Sequence, residues 1–352
     1  MEIVIRGRYL LPGSAAVVVL ALVVLTGAIP IQASSGHWRI TSWFLDLVKR
    51  RSVHTYSRAI EVPALDQPAL VTRGAAHYER SCRPCHGSPA AARPPLVMKM
   101  TPHPPFLPER TGRWDDAELF QIVKHGIKFT GMPAWPAPKR NDEIWAVVAF
   151  LRRLPQLSAA QYWRLAVGEP RHPGAFPPIV EMCAACHGAG GSGRDGAAFP
   201  AIAGQNAPYL RRALDAFANG RRHSGMMGPI AAALDATTRD ALVDYYSQLP
   251  RSGPRGADGD VALGETIALR GIPERRIPAC VECHRPDADQ NRDYPILDGQ
   301  HAEFLLQQLQ LFTNDARGGS EAASIMRPIA IRLQPEDMKH VAAYFATRTQ
   351  NP

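Results

Sequence analysis

Outside three short repeats this 352-residue chain contains no cysteine: the six thiols are Cys82 and Cys85, Cys183 and Cys186, and Cys280 and Cys283. None is left over for a structural disulfide or a separate catalytic thiolate. Aromatic residues are only 7%, and no aromatic-rich surface accompanies the scattered basic residues, which excludes a nucleic-acid reader. Strand-like alternation is missing throughout, leaving an all-α chain. Charge is absent between Arg8 and Arg39. Elsewhere the balance is basic, 40 Lys and Arg against 32 Asp and Glu for a net +8, which favours docking on acidic protein surfaces or anionic lipid and weakens with salt.

What is present accounts for the thiols. Each pair opens the pattern Cys-x-x-Cys-His, completed by His86, His187 and His284. In the covalent attachment site of a c-type haem, two thiols add to the porphyrin vinyl groups and the adjacent imidazole ligates iron. A zinc site or a thioredoxin-like pair explains neither the third pair nor the His at the next position three times. The expected cofactors are three covalently bound haem c groups, each also filling a core short of aromatic side chains.

Cys82 and Cys183 lie 101 positions apart and Cys183 and Cys280 lie 97 apart, so one haem per unit of about 100 residues is the natural partition. The expected domains are 69–157, 165–250 and 258–350. Ahead of them, 1–34 reads as a signal or transmembrane anchor and 35–68 as a juxtamembrane helix and linker. The 22 residues from Leu10 to Ile31 match the roughly 20 needed to cross a bilayer core. Retention as an anchor, with Trp38, Trp43 and Phe44 at the interface, is favoured over cleavage after Ala33. Arg39, Lys49, Arg50 and Arg51 on the exported side run against the positive-inside bias, so the topology rests on where such haems are attached.

The second and third units repeat one another. Phe199-Pro-Ala-Ile-Ala-Gly-Gln205 matches Tyr294-Pro-Ile-Leu-Asp-Gly-Gln300, and Tyr209, Leu210, Leu214 and Phe217 recur as Phe304, Leu305, Leu309 and Phe312, all at an offset of 95. Each unit closes with an amphipathic helix beginning near Asn141, Thr238 and Pro335. The first unit carries instead a proline-rich loop, Pro94 to Pro108.

A loop methionine precedes each closing helix. Met132 lies 46 residues beyond His86, Met227 lies 40 beyond His187 and Met326 lies 42 beyond His284. A thioether favours ferrous iron and raises its potential, so these three are the expected sixth ligands. Met226 competes with Met227, which the repeat favours by aligning it with Met326. His125 and His223 are placed to replace a Met, and Met98 and Met100 read as lid or packing residues.

Residues after about 160 resemble the two halves of dihaem cytochromes of the c4 type, on the attachment motifs, the Gly-Gln pairs, Gly220-Arg-Arg222 and Met227-Gly-Pro-Ile230. Residues 69–157 resemble a single-haem class I cytochrome c domain, on His125-Gly-Ile-Lys-Phe-Thr-Gly-Met132-Pro-Ala-Trp135. The third unit departs with Asn314-Asp-Ala-Arg317 and a longer Gly-Gly-Ser-Glu stretch. The resemblance implies all-helical cytochrome c folds and electron transfer in the bacterial periplasm, so that three such folds in tandem follow the hydrophobic helix. The hydrophobic run and the compartment of haem attachment place the chain at the bacterial inner membrane facing the periplasm, or free in the periplasm if the signal is cut. Its partners would be a terminal oxidase, a dehydrogenase or a quinol-oxidising complex. The alternatives are the cytochrome subunit of a periplasmic dehydrogenase complex and a multihaem peroxidase-like enzyme, which would need an open iron.

Overall fold

Proline starts and glycine stops many of the helices. The computed structural model describes residues 10–168, 178–194, 198–251, 253, 255–284, 293–321 and 323–348. Among them the regular structure is helical, with only isolated bridges at Ser88–Ala91, Arg222–Gly318 and Ile272–Ile277.

Helix α1 (Leu10–Leu25) carries no charged residue and Ser14 as its one polar side chain, and α2 (Arg39–Ser57) follows it. The 22-residue span expected from Leu10 to Ile31 is here a helix of 16 residues, about 24 Å at 1.5 Å per residue. It ends because Gly27 turns at a φ of +70° and Pro30 cannot continue it. No helix among the described residues is long and apolar enough to cross a membrane. Trp38, Ile40, Trp43 and Phe44 are exposed, while Val53 and Ser57 are buried and His54 meets Glu118 at 3.3 Å.

The first haem-motif region comprises α3 (Pro68–His77), a π-helical turn Tyr78–Cys82, α4 (Arg83–His86), α5 (Asp116–His125), α6 (Asn141–Arg153) and α7 (Ala159–Ala166). Asp115 caps α5 in a reciprocal capping box with Glu118, satisfying orphan amides at its start. Tyr78, Phe150, Tyr162 and Ile144 are fully buried in one cluster there, and the Tyr78 hydroxyl donates to the Gly87 carbonyl at 2.6 Å. The second region has α8 (Pro178–His187), α9 (Ala207–Ala218), α10 (Met227–Ala232) and α11 (Ala236–Gln248). The third has α12 (Val261–Arg270), α13 (Val281–His284), α14 (Ala302–Thr313), α15 (Ala323–Arg332) and α16 (Pro335–Thr347). The three closing helices stand where the pattern placed them, as α6, α11 and α16.

In the first and third regions an opening helix crosses the closing helix at a glycine. A β-carbon on Gly74 would lie 1.8 Å from the Ala146 carbonyl oxygen, and one on Gly264 would lie 2.0 Å from that of His340. Both obstacles are backbone, so neither can swing aside. We expect Gly264→Ala to destabilise the third region by roughly 2–4 kcal/mol, through overpacking and loss of the close crossing, read as a lower urea midpoint at unchanged haem content. A substitution at Gly253, where a β-carbon meets nothing within 4 Å, provides the neutral comparison.

Side chains bind the regions together. Gln205 and Gln300 form a reciprocal clasp: Gln205 donates to the Ile296 carbonyl (3.0 Å) and accepts from its amide (2.8 Å). Gln300 donates to the Ala201 carbonyl (2.8 Å) and accepts from its amide (2.9 Å). The repeat offset of 95 carries each partner onto its counterpart, giving an approximate two-fold arrangement. The first region meets the second where Ala69 and Ala76 pack on Ala198, Phe199 and Cys186. It meets the third where Gln307 donates to Asp142 (3.1 Å) and Lys139 pairs with Asp315 (2.6 Å).

Candidate haem sites and the junction between them

The attachment segments end in short helices for a steric reason: a helical turn brings i and i+3 onto one side, so the two cysteines of each pair can face one porphyrin edge. In the first region the π-helical turn delivers Cys82 into α4, consistent with the use of such irregular turns at functional sites. All six cysteines are unpaired and half-buried. Burial pushes the Cys82 thiol up to about 12, and those of Cys183 and Cys280 up to about 11.

The three motif histidines share one local geometry. Nδ1 of His86 lies 2.9 Å from the Pro105 carbonyl, that of His187 lies 3.1 Å from Pro200, and that of His284 lies 2.8 Å from Pro295. A carbonyl only accepts, so Nδ1 carries the proton and Nε2 is left with its lone pair. Burial lowers the proton affinity of all three rings, against the carbonyl bond that raises it. Neutral imidazoles with fixed tautomer and orientation are what an iron ligand requires. The rings of His187 and His284 also meet Phe199 and Tyr294 edge-on, at 6.4 and 6.2 Å.

Pro105, Pro200 and Pro295 were not singled out as partners in the sequence, although the repeated Phe-Pro and Tyr-Pro pairs carried the signal for two of them. The first region's equivalent is hidden because its order is Pro105-Phe106, inside the proline-rich loop. There a β-carbon on Gly87 would strike Phe106 at 2.6 Å.

Met132, Met227 and Met326 are all half-buried. Met132 lies in the loop between α5 and α6, its amide donating to Thr130 Oγ1 at 3.1 Å. Met227 is the first residue of α10, and Met326 lies in the first turn of α15. Met226 packs on the first region's core, and its sulfur accepts from the Ser81 hydroxyl at 3.4 Å. His223 Nδ1 approaches the Ala316 carbonyl at 3.1 Å, while His125 is exposed at the end of α5. Met100 approaches Gly131, as a packing residue would.

A second repeat-related pair bears on the cofactor. The Arg222 guanidinium lies 4.5 Å over the ring of Phe217, and Arg317 lies 4.5 Å over that of Phe312. Gln308 accepts from both, at 3.4 and 2.9 Å. Burial, with repulsion from nearby Arg222, pushes Arg317 down to about 9. Among the described residues no carboxylate pairs with either. A buried Arg317 and a half-buried Arg222 without carboxylate partners fit a cofactor that brings carboxylates, as a porphyrin with two propionates does. The free thiols, the oriented imidazoles and these cations therefore suit haem, whereas no cluster of three or more His, Cys, Asp or Glu among the described residues could hold a bare metal ion.

A buried polar knot lies where the first and second regions meet. Glu143 is 3% exposed. It accepts from Trp135 Nε1 (3.0 Å), Ser224 Oγ (2.6 Å) and the Gly225 amide (2.7 Å), and pairs with Arg140 at 3.1 Å. Arg140 in turn grips Asp142 and donates to the His223 carbonyl at 2.6 Å. Gly225 is required because a β-carbon would come within 2.3 Å of Trp135 Nε1.

Behind the knot, His77 is 5% exposed and its Nδ1 has no hydrogen-bond partner. Burial, with repulsion from Arg73 and Arg140, pushes it from 6.5 down to about 3, Asp142 opposing. The unfolded chain protonates this ring below about 6.5 and the folded one only near 3, so stability is lost as pH falls through that window. Acidifying from pH 7 to pH 4 should cost the fold roughly 3 kcal/mol through this group alone. His77→Phe should flatten the dependence, measured as urea midpoints across pH.

Helical regions built around Cys-x-x-Cys-His, with oriented imidazoles, define a protein that holds haem c covalently. The family model for subunit III of cbb3-type cytochrome c oxidase matches residues 69–151 and 179–245, and that for cytochrome c matches 264–349. A thiosulfate dehydrogenase electron acceptor from Thiomonas intermedia is 36% identical over 200 residues, 56% of this chain and 92% of that protein. One from Stutzerimonas stutzeri is 36% identical over 177 residues, covering 49% and 82%. Cytochrome c4 of Azotobacter vinelandii is 32% identical over 176 residues, covering 46% and 82%. The chain belongs to the multihaem c-type cytochromes. It is an electron carrier rather than an enzyme.

Proposed function

We propose that this chain relays electrons through three haems, each iron held between a motif histidine (His86, His187, His284) and a methionine (Met132, Met227, Met326). The observation that carries the reading is the threefold bond from a histidine Nδ1 to a proline carbonyl, which aims three Nε2 lone pairs alike. Cys82, Cys85, Cys183, Cys186, Cys280 and Cys283 hold the porphyrins. Haem held at these sites would supply one-electron exchange between ferric and ferrous iron. The chain's own contribution would be a neutral imidazole fixed by its Nδ1 bond and a soft thioether offered from the other side.

Electrons enter from a periplasmic dehydrogenase, a source supported by likeness to two thiosulfate dehydrogenase electron acceptors. They leave toward a terminal oxidase, a direction supported by the match to the oxidase subunit family. The net charge of +8 suits acidic docking faces on both. Apolar α1 serves export, and the exposed aromatic residues of α2 hold the chain at the membrane surface.

The test mixes the oxidised, haem-loaded protein with a thiosulfate dehydrogenase and thiosulfate. Reduction of all three haems, slowed by added salt, supports the reading. Lack of reduction with this dehydrogenase, together with rapid reduction by a quinol-oxidising complex, would replace the electron source. Rapid cyanide binding to one ferric haem would instead point to the peroxidase-like alternative.

A further inference from the structure

Glu143 belongs to α6 of the first region, yet both its carboxylate oxygens also bond the second, Oε1 to Ser224 and Oε2 to the Gly225 amide. Ser224 Oγ donates its proton to Glu143 and, with its lone pairs, accepts from the amides of Met226 (3.2 Å) and Met227 (3.0 Å). Those amides open α10. A hydroxyl with one donor and two acceptor sites is fully used in this arrangement, so its rotation is fixed. Ser224 is 8% exposed, and Met226 is held from the same side by Ser81, the neighbour of Cys82. The start of α10 is thus fastened to the first region at three points: Glu143 to Ser224, Glu143 to the Gly225 amide, and Ser81 to Met226.

We propose that Glu143 is a positioning residue for the second haem: acting through Ser224 it fixes the turn that presents Met227, so the second haem's potential is set from the first unit. This rests on the reading of Met227 as an iron ligand. Loosening the turn lets the thioether leave, and because sulfur favours ferrous iron, the potential of that haem falls.

The experiment uses the full haem-loaded chain and reads the near-infrared thioether-to-iron band of the ferric protein together with haem-resolved midpoint potentials. Ser224→Ala should remove up to about one third of the band, one haem of three, and lower a single midpoint while haem content stays complete. Ser224→Thr, which keeps the hydroxyl, should restore both. Glu143→Gln should lose the same share of the band. Its removed negative charge alone would raise neighbouring potentials and leave the band whole, so the band separates positioning from field. An unchanged band and three unmoved midpoints in Ser224→Ala would overturn the proposal, as would a loss spread evenly over all three haems. Met227→Leu, run beside them, tests the underlying ligation. Should it keep the whole band, the proposal falls through that variant and not through the clasp.

Discussion

Replacing Cys183 and Cys186 together with serine should leave two haems per polypeptide and unfold the second unit while the first still protects its amides. The reason lies in how unevenly apolar side chains are distributed. Among the described residues the buried cluster around Tyr78, Phe150 and Tyr162 is large, and so is the one around Tyr344 and Phe345, whereas that within the second unit has Val180, Leu242 and Tyr246 as its buried members, its Ala198 and Phe199 packing with Ala76 of the first. A porphyrin buries area comparable to two or three aromatic side chains, roughly 150–250 Å² each. At about 25 cal/mol per Å² that contributes on the order of 10 kcal/mol, similar to the whole stability of a domain this size. Hydrogen exchange should show α9 and α11 unprotected in the variant and α3 and α6 still protected. Persistent protection of α9 and α11 with one haem missing would show that the second unit has a sufficient core of its own.

The damage should also spread in a defined direction. Once Ser224 and Gly225 leave, Glu143 keeps only Trp135 and Arg140 within the protein, and two hydrogen bonds to a charged group, each contributing about 1.5–3 kcal/mol, are exchanged for water. The first unit should therefore melt earlier in the variant than in the intact chain.

How much of this was legible in the sequence depends on how local the chemistry is. Covalent attachment needs two thiols and an imidazole within five residues, so Cys82 to His86 and its two counterparts announce themselves without any fold. Closing helices α6, α11 and α16 were legible because a 3.6-residue period with an acidic or hydroxyl start is also local. The apolar N-terminal run was visible as hydropathy, but its helical length was not, since Gly27 cuts α1 off before Ile31. Glu143 was hidden entirely: it reads as an ordinary acidic residue in the first turn of a helix, and its partner Ser224 lies 81 positions away. Gln205 and Gln300 were visible as a repeat, but their reciprocal clasp appears only when the two copies face each other. Periodicity cannot separate the adjacent Met226 and Met227, and that Met226 lies against Ser81 of the first region is visible only in the fold.

Ligand exchange at the first haem should give the largest electronic effect. Met132 belongs to none of the buried apolar clusters, and its loop is held without its side chain: the Ile127 amide donates to the Met132 carbonyl at 3.2 Å and the Met132 amide donates to Thr130 Oγ1 at 3.1 Å. Met132→His can therefore alter the side chain without dismantling the turn. On the proposed ligation, a hard imidazole replaces a soft thioether, ferric iron gains and ferrous iron loses. Axial ligands span about 0.8 V between them, and this exchange should lower one midpoint by roughly 0.2–0.4 V. With 59 mV per tenfold change for a single electron, a drop near 0.3 V shifts that haem's share of the electron by roughly five powers of ten. Two haems would then reduce as before and the third only at much lower potential. If the first haem carries the electron out, turnover from a reduced dehydrogenase to an oxidase should collapse while reduction of the other two haems stays fast. Three unmoved midpoints and an intact thioether band would return Met132 to the role of Met100, a packing side chain beside Gly131, and the first iron would need another sixth ligand.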